Sequence, residues 1–219
     1  MQNPYKDVKQ IVEAQVSHIE KHDQRFLKSN INYLRNVIIT AAQILEKNEK
    51  LWGWSSKAHT NVTKPQLSFD EARSLFVMLI TAAAKVRELD TDAIVYQIDF
   101  ITDQSLDFVG ALDALIKSCS ESKIDFPRFF RIIELAGMTQ ELFFTDMCSH
   151  LALRQFRIER GYMGVTPGNY IHIDEHLQWN DEEFATISGR SIGLKADTLF
   201  MVHAALCEGY DKTVKNMRI

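Results

Sequence analysis

The chain contains 219 residues, of which 46% are hydrophobic and 25% are charged. This composition is ordinary for a globular protein and argues against a disordered one. A formal net charge of −4 argues against sequence-independent nucleic-acid binding, which needs a concentrated basic surface. No apolar run approaches the roughly 18 residues of a membrane span, and residues 1–10 lack the apolar core of a signal peptide. We therefore expect a soluble, cytoplasmic protein in which Cys119, Cys148 and Cys207 are reduced thiols of the core.

The N-terminal half predicts three helices. Apolar residues at helical spacing indicate a first helix over residues 5–28. Asn30 is expected to cap a second helix with a wide apolar stripe, followed by a polar loop at residues 55–65. Ser68 followed by Glu71 has the form of a capping box, in which each side chain bonds the other residue's backbone N–H. A third, long helix is predicted to begin there.

The C-terminal half predicts further helices and one short extended segment. In chain order these helices cover residues 91–101, 106–118, 126–136, 139–160, 180–188 and 195–213. Gly137 and Gly161 stand where helix C-caps belong, and residues 163–175 are expected to form an ordered loop or short extended segment. Because alternating strand-like patterns are nearly absent, we predict an all-α fold, a single-domain helical bundle over residues 1–219.

The most specific stretch of sequence is residues 126–170. It ends in a helix pattern of Phe-Arg, then Gly-Tyr, then a further Gly and Tyr, formed by Phe156, Arg157, Gly161, Tyr162, Gly164 and Tyr170. This order resembles the all-α dimeric dUTPases, and the resemblance extends over about residues 8–190. It implies a helical homodimer that acts on a pyrimidine deoxynucleotide.

In the family that the chain resembles, each of two helices carries two carboxylates three residues apart. Two such pairs can aim four carboxylates at one point, where Mg²⁺ bridges the phosphates while water attacks the α-phosphorus. Here the first pair falls on Thr40 and Gln43, and the second falls on Glu71 and Ser74. One carboxylate of four remains, so we expect Mg²⁺ binding to be weak or lost.

The resemblance also implies residues that hold the nucleotide. Gln15 matches the glutamine that reads the uracil edge, and Trp54 lies in a turn that could stack on the base or serve the core or dimer contact. The phosphate side falls on His150, Arg154, Arg157 and Tyr162, where the family has Lys and Asn at the first two of these positions. Arg157 could equally form a local salt bridge, and Tyr162 could simply pack near the helix end. His172 and His176 are interpreted as exposed polar residues rather than as metal ligands.

Three functions follow from these residues. The first is a dUTPase-like protein that has lost catalysis and serves as a nucleotide-binding or regulatory protein. The second is an active nucleoside triphosphate diphosphatase, on dUTP, dCTP or a modified pyrimidine, with a rearranged metal site. The third is a helical interaction protein without a ligand. The number of carboxylates on the second and third helices separates the first two hypotheses.

Overall fold

The computed structural model describes residues 4–49, 65–160, 170–174 and 177–217. Within these residues nine α-helices and one two-stranded antiparallel hairpin are present. The helices α1 to α9 are Pro4–His22, Tyr33–Glu49, Phe69–Val86, Thr91–Gln97, Phe108–Ser120, Phe126–Leu135, Gln140–Glu159, Asp181–Ile192 and Thr198–Met217, and the strands β1 and β2 are Tyr170–Asp174 and Leu177–Asn180. The prediction of an all-α fold is confirmed. None of the helices in these ranges has both the length and the apolar character needed to cross a bilayer.

The first two helices differ from prediction at their ends. Helix α1 stops at His22 instead of continuing to residue 28, because Asp23 Oδ1 accepts a hydrogen bond from Arg25 N at 3.1 Å and turns the chain. A short 3-10 helix follows at Phe26–Lys28. Helix α2 is opened by Asn32 and not by Asn30, since Asn32 Oδ1 accepts from Arg35 N at 3.3 Å.

Local capping signals define the other helix starts more closely. The capping box of Ser68 and Glu71 is present at the start of α3. Asp90, Asp107, Asp125 and Asn180 cap α4, α5, α6 and α8, each accepting a backbone N–H three residues later. Gly137 follows α6 with φ of +82°, a left-handed conformation that glycine adopts without steric cost.

The chain forms two compact units. The central unit is Val12–Gln140, and the terminal unit combines Met1–Ile11 with Glu141–Ile219. The division reflects packing within each unit. The single domain over residues 1–219 therefore stays a prediction.

The central unit is built on α2, which packs against both α3 and α5, while α5 also packs against α6. Phe76 of α3 lies among Phe126, Phe129 and Phe130 of α6, with ring centroids 5.2–6.1 Å apart. These rings are buried, and buried aromatic pairs at this spacing stabilise a core beyond their area alone. They hold α3, the helix that carries Glu71, in a fixed position.

The terminal unit packs α8 against α9. Its core contains Ala152, Leu153, Phe156, Ala185, Val202 and Leu206. The first turns of the chain belong to this unit, because Gln10 Nε2 donates to the carbonyl oxygen of Lys195 and Gln10 Oε1 accepts from Leu199 N. In the hairpin, Tyr170 pairs with Asn180 and His172 with Gln178. The extended segment near residue 170 was predicted, whereas its partner strand β2 was not.

Candidate functional site

Helices α2 and α3 run antiparallel, and two side-chain contacts fix their register. Near one end, Asn36 Nδ2 lies 4.0 Å from Met78 Sδ. Near the other end, Lys47 Nζ donates to both carboxylate oxygens of Glu71, at 3.1 and 3.2 Å. The residue numbers rise on α2 as they fall on α3, so the helices point in opposite directions.

Three of the four positions that the resemblance assigns to metal ligands lie between these two contacts, and the fourth, Glu71, forms one of them. On α2 the spacing from Asn36 through Thr40 and Gln43 to Lys47 is 4, 3 and 4 residues, which keeps them on one side of a helix. On α3, Ser74 lies between Glu71 and Met78 by the same rule. The two helices therefore carry a hydroxyl, an amide and a second hydroxyl at three positions where the resemblance expects carboxylates.

The remaining carboxylate, Glu71, is already occupied. Its Oε2 accepts from Ser68 N at 2.7 Å and from Ser68 Oγ at 2.9 Å, in addition to the two contacts from Lys47. Burial alone would raise the pKa of Glu71, but the hydrogen bonds from Ser68 and Lys47 outweigh it and lower the pKa overall. The carboxylate is thus ionised, and its negative charge is balanced by an ammonium group of the same chain.

Gln15 is a buried polar residue whose amide is only half satisfied. Its side chain is 6% exposed, and its Nε2 donates to Thr81 Oγ1 at 3.2 Å. Thr81 in turn donates to the carbonyl oxygen of Val77 at 2.7 Å. Among the described residues, no donor reaches Gln15 Oε1. A buried acceptor left without a donor costs on the order of 1–3 kcal/mol, so a donor to this atom would be stabilising.

Gln15 and the Glu71 region lie at opposite ends of one side of α3. Thr81, the partner of Gln15, follows Ser74 by seven residues, which places it on the same side of the helix about 10 Å further along. Gln15, which is buried, is therefore associated with the same side of α3 as Ser74, without contacting Glu71. An elongated ligand would be needed to reach both ends.

In the terminal unit, Arg157 is committed to a salt bridge. Its Nε lies 2.8 Å from Asp181 Oδ2 and its Nη2 lies 2.6 Å from Asp181 Oδ1, a two-pronged geometry that gives strong pairing. The Asp181 side chain is almost fully buried, and its hydrogen bond raises the pKa of Arg157. This ion pair joins α7 to the first turn of α8. The alternative prediction of a local salt bridge is borne out, and the phosphate contact of Arg157 stays a prediction.

Arg154 has a different environment. Its guanidinium is half-buried, and this burial lowers the pKa of Arg154. Within the described part of the chain, no carboxylate pairs with Arg154. It follows His150, an exposed residue, by one helical turn, and both precede Arg157 on the same side of α7. A partly desolvated cation without a carboxylate partner favours an anion.

Two of the predicted site residues, Trp54 and Tyr162, lie outside the described residues. Three others that matter here were missed by sequence reasoning: Lys47, Thr81 and Asp181. Lys47 could have been found, since it follows Gln43 by four residues and so shares its helix face. Thr81 and Asp181 act through partners 66 and 24 residues away, and no local pattern reveals such pairs.

Comparison of the chain with models of known protein families, and with curated proteins, found no match. The relation to the dimeric dUTPases therefore stays a prediction from the sequence motifs.

Proposed function

We propose that the chain is a dUTPase-like protein that binds a pyrimidine deoxynucleotide without Mg²⁺ and without turning it over. The observation that carries this proposal is the ion pair of Lys47 with Glu71. Mg²⁺ binds in proteins through charged oxygen ligands and substrate phosphates. Of the four positions that the resemblance assigns to metal ligands, only Glu71 is a carboxylate, and a tethered ammonium already balances it.

Loss of the metal would remove catalysis rather than binding. Stabilisation of the charge that develops in phosphoryl transfer is mostly electrostatic and relies on metal ions and cationic side chains. Thr40, Gln43 and Ser74 supply oxygen atoms but no charge. These positions together with Glu71 alone would therefore hold two Mg²⁺ ions poorly against a triphosphate.

Recognition of a pyrimidine is supported by Gln15. Its Oε1 can accept a hydrogen bond from the N3–H of uracil or the amino group of cytosine, while its Nε2 is held by Thr81. The neighbouring hydrogen bond fixes the orientation of the amide in advance, which lowers the entropic cost of binding. Contact of Arg154 with a phosphate stays a prediction of the resemblance.

Binding should be tested with dUMP, dUDP, dUTP and dCTP by calorimetry, with and without Mg²⁺. We expect binding that does not depend on Mg²⁺, that is lost in Gln15→Met and that persists in the control Glu20→Gln, an exposed change on the same helix. Gln15→Met should leave stability unchanged or raise it by about 1 kcal/mol, because it removes a buried amide with an unmet acceptor.

Two outcomes would contradict the proposal. Mg²⁺-dependent release of pyrophosphate at an enzymatic rate, on the order of 1–1000 per second, that disappears in Glu71→Gln would show an active diphosphatase. Absence of any pyrimidine nucleotide binding by the full chain would favour the third hypothesis, a helical interaction protein without a ligand.

We also propose a homodimer, in keeping with the resemblance. Ile31 and Ile39 near and within α2 are 52% and 49% exposed, and apolar side chains of this size favour contact with a partner. Light scattering at micromolar concentration should give twice the chain mass of 25.2 kDa. A monomer would contradict both the dimer and the family resemblance. Placement in the cytoplasm stays a prediction.

A further inference from the structure

Three metal-ligating side chains meet in the terminal unit, away from the residues discussed so far. Glu159 at the end of α7 faces His203 and Cys207 on α9, and one donor atom from each lies within 4.8 Å of the other two. Glu159 Oε2 and His203 Nε2 are 2.9 Å apart. His203 and Cys207 are four residues apart on one helix, so both side chains project from the same face.

This donor set fits a borderline divalent ion. Zinc binds carboxylate oxygen, imidazole nitrogen and thiolate sulfur at about 2.0–2.3 Å in a tetrahedral arrangement, which places neighbouring donors about 3.5 Å apart. The donor atoms are up to 4.8 Å apart. Side-chain rotations that move them by about 1 Å would bring them to the tetrahedral spacing. A thiolate also selects against Mg²⁺ and Ca²⁺, which prefer oxygen ligands.

Neighbouring residues orient the set and balance its charge. Gln155 Nε2 donates to Glu159 Oε1 at 2.8 Å, which leaves Oε2 directed at His203, as an outer hydrogen bond does for metal ligands. Arg160 contacts Cys207 and pairs with Asp211 at 3.3 Å. When Cys207 is a thiolate, Glu159, Cys207 and Asp211 carry three negative charges and Arg160 carries one positive charge. The net charge of −2 is balanced by a divalent ion.

We propose that Glu159, His203 and Cys207 form a Zn²⁺ site that joins the end of α7 to α9. The His203 side chain is 16% exposed and Glu159 is 47% exposed, so one side of the site is open to water, which completes the coordination. Binding replaces the hydrogen bond between Glu159 and His203 with two bonds to the metal and displaces the thiol proton of Cys207 to solvent.

Cobalt and zinc titrations of the untagged, chelator-treated full chain test the proposal. Co²⁺ should produce a near-ultraviolet thiolate charge-transfer band that saturates at one ion per chain, and Zn²⁺ should abolish it while excess Mg²⁺ does not. Cys207→Ser and His203→Ala should reduce Zn²⁺ affinity by at least about 100-fold, and Gln155→Ala by about 10-fold. Cys119→Ala and His22→Ala are the matched controls and should retain wild-type affinity.

A measurement on the unmodified chain covers variants that fail to fold. Zn²⁺ should protect Cys207 from alkylation, read by mass spectrometry of the peptides, and a chelator should restore the reaction. Equal alkylation with and without Zn²⁺, or absence of the cobalt band, would overturn the site. So would Zn²⁺ affinity that is unchanged in the Cys207 and His203 variants but lost in His172→Ala with His176→Ala.

Discussion

The ammonium of Lys47 on α2 lies 3.1 Å from one carboxylate oxygen of Glu71 on α3 and 3.2 Å from the other. The contact crosses the helix pair on which the resemblance to dUTPases places the metal ligands. A side-chain cation thus occupies the position next to the only acidic group left among those four residues. The uncharged side chains of Thr40, Gln43 and Ser74 and this lysine contact would both act against Mg²⁺ binding.

Restoring the acidic residues should therefore require removal of Lys47 as well. The triple change Thr40→Glu, Gln43→Glu and Ser74→Asp adds three negative charges, but Lys47 still competes with a metal for them. Adding Lys47→Gln should strengthen Mg²⁺ binding by a factor of ten or more, about 1.4 kcal/mol, because the ammonium repels a divalent ion only a few ångströms away. Calorimetric titration of the triple and quadruple variants measures this. Equal Mg²⁺ affinities of the two variants would show that the Lys47 side chain moves away from the site without an energetic cost.

Acid should remove the contribution of Glu71 to stability. Its pKa is lowered in the folded chain, so its stabilisation is present above the unfolded pKa of about 4.3 and is lost as the pH falls through the lower, folded value. Glu71→Gln keeps an acceptor for Ser68 but has no charge. Urea unfolding should show the variant less stable at pH 7, with the difference shrinking by pH 3. If the difference in stability between wild type and Glu71→Gln does not change with pH, the shape of the side chain and not its charge stabilises the fold.

The salt bridge of Arg157 with Asp181 should be a main support of the terminal unit. Asp181→Asn keeps the size of the side chain but leaves the partly buried Arg157 without its charged partner, which should cost about 3 kcal/mol of the free energy of unfolding. Glu182→Gln is the control, because this exposed residue approaches Arg157 only to 3.4 Å and should change stability by less than about 0.5 kcal/mol. Denaturant unfolding measures the loss of stability in both variants. Equal losses would show that the burial of Asp181 does not make its salt bridge stronger.

Gly189 allows α8 to approach Ser149 of α7 closely. A Cβ at this position would lie 1.9 Å from Ser149 Oγ and 3.2 Å from Ser149 Cβ. Gly189→Ala should therefore destabilise the chain by about 1–3 kcal/mol despite the higher helix propensity of alanine. Adding Ser149→Ala should recover most of this loss, since the worst clash is with the hydroxyl. Thermal unfolding of the two single variants and the double variant gives the coupling energy, and additive effects would contradict the proposed clash.

The sequence predicted well what depends on neighbours along the chain. Helix periodicity, the capping box of Ser68 with Glu71 and the glycine stop at residue 137 are local signals, and each is present in the structure. The early end of α1 was missed, because the apolar pattern continues through Phe26 while Asp23 turns the backbone. A short side chain that bonds its own backbone can thus override the periodicity of several residues.

The candidate site was predicted only in part, for a physical reason. The resemblance assigned Thr40 with Gln43 and Glu71 with Ser74 as ligand positions, and α2 and α3 pack against each other in antiparallel register. The buried state of Gln15 and its bond to Thr81 depend on tertiary packing across 66 residues. A glutamine on an amphipathic helix has the same local pattern whether it is exposed or buried, so burial could not be inferred.

The lysine at position 47 also determines which solution conditions the helix pair responds to. A metal ion arrives and leaves by mass action, so a metal-bridged contact weakens when a chelator lowers the free concentration of the ion. The ammonium of Lys47 is covalently attached and cannot be removed by a chelator, but its side chain is 41% exposed and its attraction to Glu71 is screened by salt. The packing of α2 on α3 is therefore expected to be indifferent to chelators and sensitive to ionic strength.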